Sequence, residues 1–178
     1  MLNINLFGGP GTGKSTTAAG LFHEMKKSGV KVEYITEYAK DLVFSKDFYR
    51  LKDQTYILAK QHHPIFKLQD QVDMLIHDGP FLLGLIYLQE KEGFPVKEFK
   101  DYLVALWKSY EHINIFLERD TDVHKYQDYG REQTLEEALE IDKQIIDMMD
   151  HYNIPYHKVV VGEHSVKHIL EILVGRRS

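Results

Sequence analysis

A chain of 178 residues, 43% hydrophobic and 28% charged, is long and apolar enough to fold as one domain around its own core, which excludes a disordered polymer. It contains no cysteine, so disulfides and thiolate metal sites are excluded too. A net charge of −5 with no Lys/Arg-rich block argues against a basic face of the kind that grips a nucleic-acid backbone.

Strand-like and helix-like segments alternate from end to end, the pattern of an α/β fold with a parallel sheet. Leu2 to Phe7 reads as a first strand, followed by the glycine-rich run Gly8-Gly9-Pro10-Gly11-Thr12-Gly13-Lys14-Ser15. A helix is expected from Lys14 to Lys27, stopped by Ser28-Gly29. Val30 to Thr36 is the second strand, and Glu37 opens a helical segment. A longer helical stretch covers Tyr49 to Gln71, with a kink or break predicted near His63 because Pro64 removes a backbone donor. Asp73 to Asp78 is the third strand, after which Gly79-Pro80 opens another helix. Glu90 to Glu98 reads as a loop into a helix ending near Ser109, and Ile113 to Leu117 as the fourth strand.

The stretch from Glu118 to Thr134 is polar and lacks an apolar period, which predicts a mobile lid. A helix from Leu135 to His151, a fifth strand from Tyr156 to Val161 and a last helix from Ser165 to Val174 complete the chain. Right-handed crossovers then give a doubly wound, five-stranded parallel sheet with helices on both faces and a ligand site at the carboxyl ends of the strands. The expectation is a single domain over residues 1–178 with its lid at about 118–134. The N-terminus lacks a basic and apolar leader pattern and no apolar run is long enough to span a bilayer, so the expected location is cytoplasmic, away from any membrane.

Gly8, Gly13, Lys14 and Ser15 satisfy the spacing GxxxxGK[ST] between a strand and a helix, which is the P-loop. Such a loop aims backbone N–H groups inward, and the helix N-terminus adds partial positive charge. Residues Gly8, Gly9, Pro10, Gly11, Thr12, Gly13, Lys14, Ser15 and Thr16 are therefore expected to wrap the phosphates of ATP or GTP. Lys14 would meet the β- and γ-phosphates, and the Ser15 hydroxyl would ligate Mg2+.

Phosphoryl transfer is mostly positioning and charge neutralisation, so a kinase needs further groups near the cradle. Glu37 follows the second strand, where it can accept a proton from a bound hydroxyl or simply complement a helix dipole. Asp78 ends the third strand beside the P-loop, to hold Mg2+ through water, to act as the base, or to cap the following helix. Within the lid, Arg131 is the leading cation for closing over the phosphates, with Arg119 and Lys125 behind it. Among the ten histidines, the adjacent pair His62-His63 diverges on a helix without a second ligand cluster, and His77 reads as a core residue. Tyr34, Tyr38, Phe44, Phe48 and Phe81 lie near strand ends, where a base could stack, and Trp107 reads as a buried anchor.

GGPGTGKST (8–16), TEYAKDLVF (36–44), IHDGPF (76–81), INIFLERDTD (113–122), QDYGRE (127–132) and HYNIPYHKV (151–159) together resemble the nicotinamide riboside kinase domain of bacterial NAD-biosynthesis regulators and the small P-loop ATPases and kinases around it. That resemblance implies an ATP-dependent kinase, with acids after the second and third strands at the acceptor and magnesium sites and the basic lid residue at Arg131. The chain departs from the pattern twice. Lys40 stands where the family has arginine, and Pro80 stands where it has a second acid. Asp78-Gly79-Pro80 is closer to what nucleoside monophosphate kinases carry.

The leading expectation is a small-molecule kinase acting on a nucleoside- or nucleotide-like acceptor. A kinase acting on a nucleotide or hydroxymethylated base in DNA is the alternative, disfavoured by the acidic charge. A regulatory ATPase is the third, and the acceptor-side acids argue against it.

Overall fold

The computed structural model describes residues 1–88, 92–120 and 134–176. Strand β1 (Leu2–Phe7) leads through the glycine-rich loop into α1 (Lys14–Lys27), and β2 (Val32–Ile35) follows. Three helices come next: α2 (Tyr38–Phe44), α3 (Phe48–Leu51) and α4 (Gln54–Leu68). After β3 (Met74–Asp78), a 3-10 turn over Phe81–Leu83 runs into the short α5 (Gly84–Tyr87). Then come α6 (Val96–Lys108), β4 (Glu111–Glu118), α7 (Leu135–His151), β5 (His157–Val160) and α8 (Ser165–Gly175). Among the described residues no helix is long and apolar enough to cross a membrane.

The five strands pair in parallel in the order β2-β3-β1-β4-β5. Helices cover both faces, which is the fold of P-loop NTPases. The alternation along β1 explains how. Ile4 and Leu6 face one core with Ala18, Leu21 and Met25 of α1 and Ile169 and Leu173 of α8. Phe7 faces the other core, with Ile65 of α4, Leu103 and Trp107 of α6, and Ile145 and Met149 of α7.

On this second face the strands carry a buried polar band. Asn5 Nδ2 lies 3.0 Å from both Asn114 Oδ1 and His112 Nδ1, and His77 Nε2 lies 2.9 Å from Asn3 Oδ1. His112 Nε2 in turn reaches Trp107 O at 2.7 Å, and its ring stacks on the indole at 3.8 Å. His77 is thus the core histidine expected, and Trp107 the buried anchor.

One expected break moves. The helical stretch before β3 is interrupted at 52–53, where the Asp53 side chain accepts from the Tyr56 N–H, while α4 runs on through Pro64. Pro64 leaves the Lys60 carbonyl without its helical donor, but Lys60 is exposed and water can replace it. The full helix expected after Gly79-Pro80 is only the 3-10 turn and one turn of α5.

Because β1 is central and the chain leaves it first towards β3 and β2, later towards β4 and β5, its carboxyl end is the topological switch point. The P-loop occupies that point. The ends of β2 and β3 lie to one side of it and the end of β4 to the other.

Candidate active site

Three P-loop glycines, Gly8, Gly11 and Gly13, adopt positive φ, which side chains resist. Gly9 has a different reason to be glycine. A Cβ there would lie 2.6 Å from the carbonyl oxygen of Ala138 on α7, so α7 packs directly against the loop. Thr12 braces the loop from within, its hydroxyl donating to Gly9 O at 2.9 Å. Gly13 caps α1 without a side-chain bond, leaving the first-turn N–H groups for an anion. Lys14 is 9% exposed, and its ammonium donates to Gly8 O at 2.7 Å and Gly9 O at 3.1 Å. Ser15 and Thr16 form the next turn of the cradle.

Asp78 ends β3 and is 2% exposed. Its Oδ2 accepts from the Tyr34 hydroxyl at 3.1 Å, and its Oδ1 is buried with no partner. It does not cap the following turn, whose N-cap is Pro80. An orphaned, buried carboxylate oxygen is costly unless a ligand completes it. Together with the Ser15 hydroxyl, this hard-oxygen donor set fits a magnesium ion with its waters. Burial, the Asp78 charge and the bond to Asp78 all push the Tyr34 phenol well above its ordinary range, so Tyr34 remains a donor.

Glu37 lies two residues beyond β2, at the N-cap of α2, and its side chain makes no cap bond. The carboxylate is therefore spared from the structural role a helix start offers. Its methylenes pack over Gly79, where a Cβ would approach Glu37 Cγ to 2.8 Å. Burial holds the Glu37 carboxyl above the usual carboxylate range. The Asp78 charge adds to this, while Lys14 and Lys40 oppose it. One turn on, Lys40 Nζ reaches the Ser15 hydroxyl at 3.5 Å.

On the β4 side, Arg119 Nε donates to Asp142 Oδ2 at 2.6 Å, and Arg119 Nη2 donates to Pro10 O at 2.6 Å. The other Asp142 oxygen accepts the Gly9 N–H. Arg119 is thereby fixed at the shoulder of the P-loop, with its side chain 9% exposed. Lys125 and Arg131 fall outside the described residues.

The structure brings Lys14, Ser15, Glu37, Asp78 and Arg119 to one end of the sheet. Sequence reasoning missed Asp142, which looks like an ordinary polar position on an amphipathic helix, and passed over Tyr87 on α5. The Tyr87 phenol is raised above its ordinary range by burial and then by the charges of Glu37 and Asp142, which places it in the field of both acids. Of the aromatic residues near strand ends, Phe81 is core, and Tyr38 bonds Tyr56 at 2.9 Å.

Among solved structures, the chain resembles deoxyadenosine kinase from M. mycoides with bound dATP. That match has a TM-score of 0.63 and 20% identity over 97% of this chain and 99% of the other. The same enzyme with bound dCTP matches with a TM-score of 0.64 and 18% identity over the same shares. With its products dCMP and a flexible dCDP bound, it matches at 0.56 and 18% identity, over 98% of this chain and 97% of the other. At these identities the likeness establishes the fold. No curated protein sequence matches the chain. The AAA domain family matches residues 3–167, most of the chain, and the chain belongs to that family.

Proposed function

We propose that the protein is an ATP-dependent kinase that moves the γ-phosphoryl group to a nucleoside- or nucleotide-like acceptor. The observation that carries the reading is the pair of spared carboxylates beside the P-loop: Asp78 with a buried, unpartnered Oδ1, and Glu37 at a helix start it does not cap. Two such acids can serve a kinase separately, Asp78 at the metal and Glu37 at the acceptor hydroxyl. The likeness to deoxyadenosine kinase and the resemblance to the nicotinamide riboside kinase domain both support a nucleoside-like acceptor. Lys40 and Pro80 depart from the second pattern.

In this reading Gly8 to Thr16 bind the phosphates and Lys14 leaves its two carbonyl partners for the β- and γ-phosphates. Ser15 and Asp78 would hold Mg2+, which would supply charge neutralisation for the phosphates. Glu37, whose carboxyl is held above the usual carboxylate range by burial, takes the acceptor's proton. Arg131 and Lys125, outside the described residues, are the further cations assigned to the phosphates, and Arg119 fixes the P-loop through Pro10. The protein works as one cytoplasmic domain on a small soluble substrate.

The test is a screen of nucleosides and nucleotides with labelled Mg-ATP, run beside Lys14→Ala. Transfer to at least one acceptor is expected. The variant should be folded and slower by roughly 100- to 1000-fold, the usual loss for a transition-state charge. Full activity in folded Lys14→Ala would overturn the assignment of the cradle, and hydrolysis without any transfer would favour a regulatory ATPase instead.

A further inference from the structure

Lys40 is a half-buried cation that makes no direct ion pair among the described residues, although its charge is felt by the Glu37 carboxyl. Its ammonium donates to one neutral group, the Ser15 hydroxyl at 3.5 Å, and among the described residues no carboxylate lies within ion-pair distance of it. Arg119, on the opposite side of the P-loop, is the contrast: it is locked to Asp142 and Pro10. An ammonium that makes no direct ion pair and lies beside the hydroxyl where a P-loop receives its divalent cation is positioned to meet a phosphate oxygen.

The helix that carries Lys40 also fixes its direction. Glu37 N-caps α2, and the Lys40 N–H donates to the Glu37 carbonyl at 3.2 Å, so the two side chains leave the same first turn. The Glu37 carboxyl feels Lys40 as well as Lys14. Lys40 thus approaches the cradle from the β2 side, with the acceptor acid, and Lys14 approaches from within the loop.

We propose that Lys40 is a catalytic cation of this site: it yields the Ser15 hydroxyl to the metal and bonds the transferring phosphoryl group from the acceptor side. The assignment rests on the kinase reading above. For a hydroxyl acceptor, the acceptor oxygen forms a bond to the γ-phosphorus as the bond from phosphorus to the bridging oxygen of ADP breaks. ADP leaves with that electron pair, and the acceptor's proton passes to Glu37. Negative charge spreads over the equatorial oxygens during this exchange, and a mobile ammonium placed there stabilises the transition state more than bound ATP.

The experiment compares wild type, Lys40→Met and Lys40→Arg in three equilibrium measurements that need no known acceptor. These are Mg-ADP affinity, Mn2+ affinity of the ADP complex by electron paramagnetic resonance, and the affinity gained when aluminium fluoride is added to Mg-ADP. Lys40→Met should keep Mg-ADP affinity within about threefold and lose at least ~30-fold of the aluminium fluoride gain, as expected for a charge that meets only the transferring group. It should bind Mn2+ as tightly as wild type or more so, because the ammonium no longer occupies the Ser15 hydroxyl. Lys40→Arg, keeping the charge, should recover part of the gain.

An undiminished aluminium fluoride gain in Lys40→Met would overturn the assignment. So would weaker Mn2+ binding, or an equal loss of Mg-ADP affinity, since either would make Lys40 a metal-site or ground-state residue. Absence of the gain in wild type would overturn it too, because no cation of the site would then meet the group. If the gain is present and Lys40-dependent but no acceptor is ever phosphorylated, the kinase reading falls and Lys40 keeps its role with water as acceptor.

Discussion

Asp78 and Glu37 are both acids at strand ends, yet their surroundings prepare them for different work. Asp78 has one oxygen fixed by Tyr34 and one buried without a partner, an arrangement suited to metal-bound water. Glu37 is pushed upward by burial and by the Asp78 charge, against the pull of Lys14 and Lys40, an arrangement suited to taking a proton. A base must be ionised before it can accept, so the rate should fall as pH drops through the raised pKa of Glu37. The acid limb of the kcat/KM profile should therefore lie above the ordinary glutamate range. In Glu37→Gln the remaining slow rate should lose that limb, and no Mg2+ concentration should restore it. Asp78→Asn should keep the limb and recover part of its rate as Mg2+ is raised. Steady-state rates across pH at two Mg2+ concentrations check this, and exchanged behaviour of the two variants would exchange their roles.

At the scale of elements, β1, β3 and β4 carry a polar band where a hydrophobic stripe would be simpler, and its two histidines give it a measurable consequence. Burial lowers His77 to about 3 and His112 to about 4, with the bond to Trp107 O opposing the second shift. Both imidazoles are neutral in the folded protein, while an unfolded histidine titrates near 6.5. As pH falls below that value the unfolded chain takes up protons that the folded chain refuses. Stability is therefore full above the unfolded pKa and is lost as pH falls towards the folded values. Each refused proton contributes a slope of about 1.4 kcal/mol per pH unit. His77→Gln keeps a donor for Asn3 Oδ1 without the titration, so its stability should fall less steeply between neutral pH and pH ~4, by up to that one-proton slope. Urea denaturation of both proteins across this range measures the difference, and parallel curves would remove His77 as a source of acid sensitivity.

Across the whole molecule, what could be read in the sequence was what local chemistry specifies. Lys14–Lys27 and Leu135–His151 fall where they were expected, because Ser28-Gly29 ends the first and a capping box of Thr134 with Glu137 opens the second. The P-loop was legible for the same reason. Pro64 does not break α4, and whether water can reach the Lys60 carbonyl left without a donor is something no local pattern reports. Asp142 was invisible because its meaning comes from Gly9, 133 residues away. The acceptor is likewise a property of the assembled surface, so charge is the whole-molecule quantity that discriminates. A strand of nucleic acid is held through several backbone phosphates, and each one neutralised lowers affinity with salt at a log–log slope of roughly 0.9 on B-DNA. A chain of net charge −5 has little cationic surplus to spend that way. A free nucleoside releases no counterions, so its KM at saturating Mg-ATP should be nearly flat from low to physiological salt. The same assay with short DNA carrying hydroxymethylated bases provides the contrast. A KM for DNA that climbs steeply with salt, with no transfer to any free nucleoside or nucleotide, would move the acceptor from a small molecule to a polynucleotide.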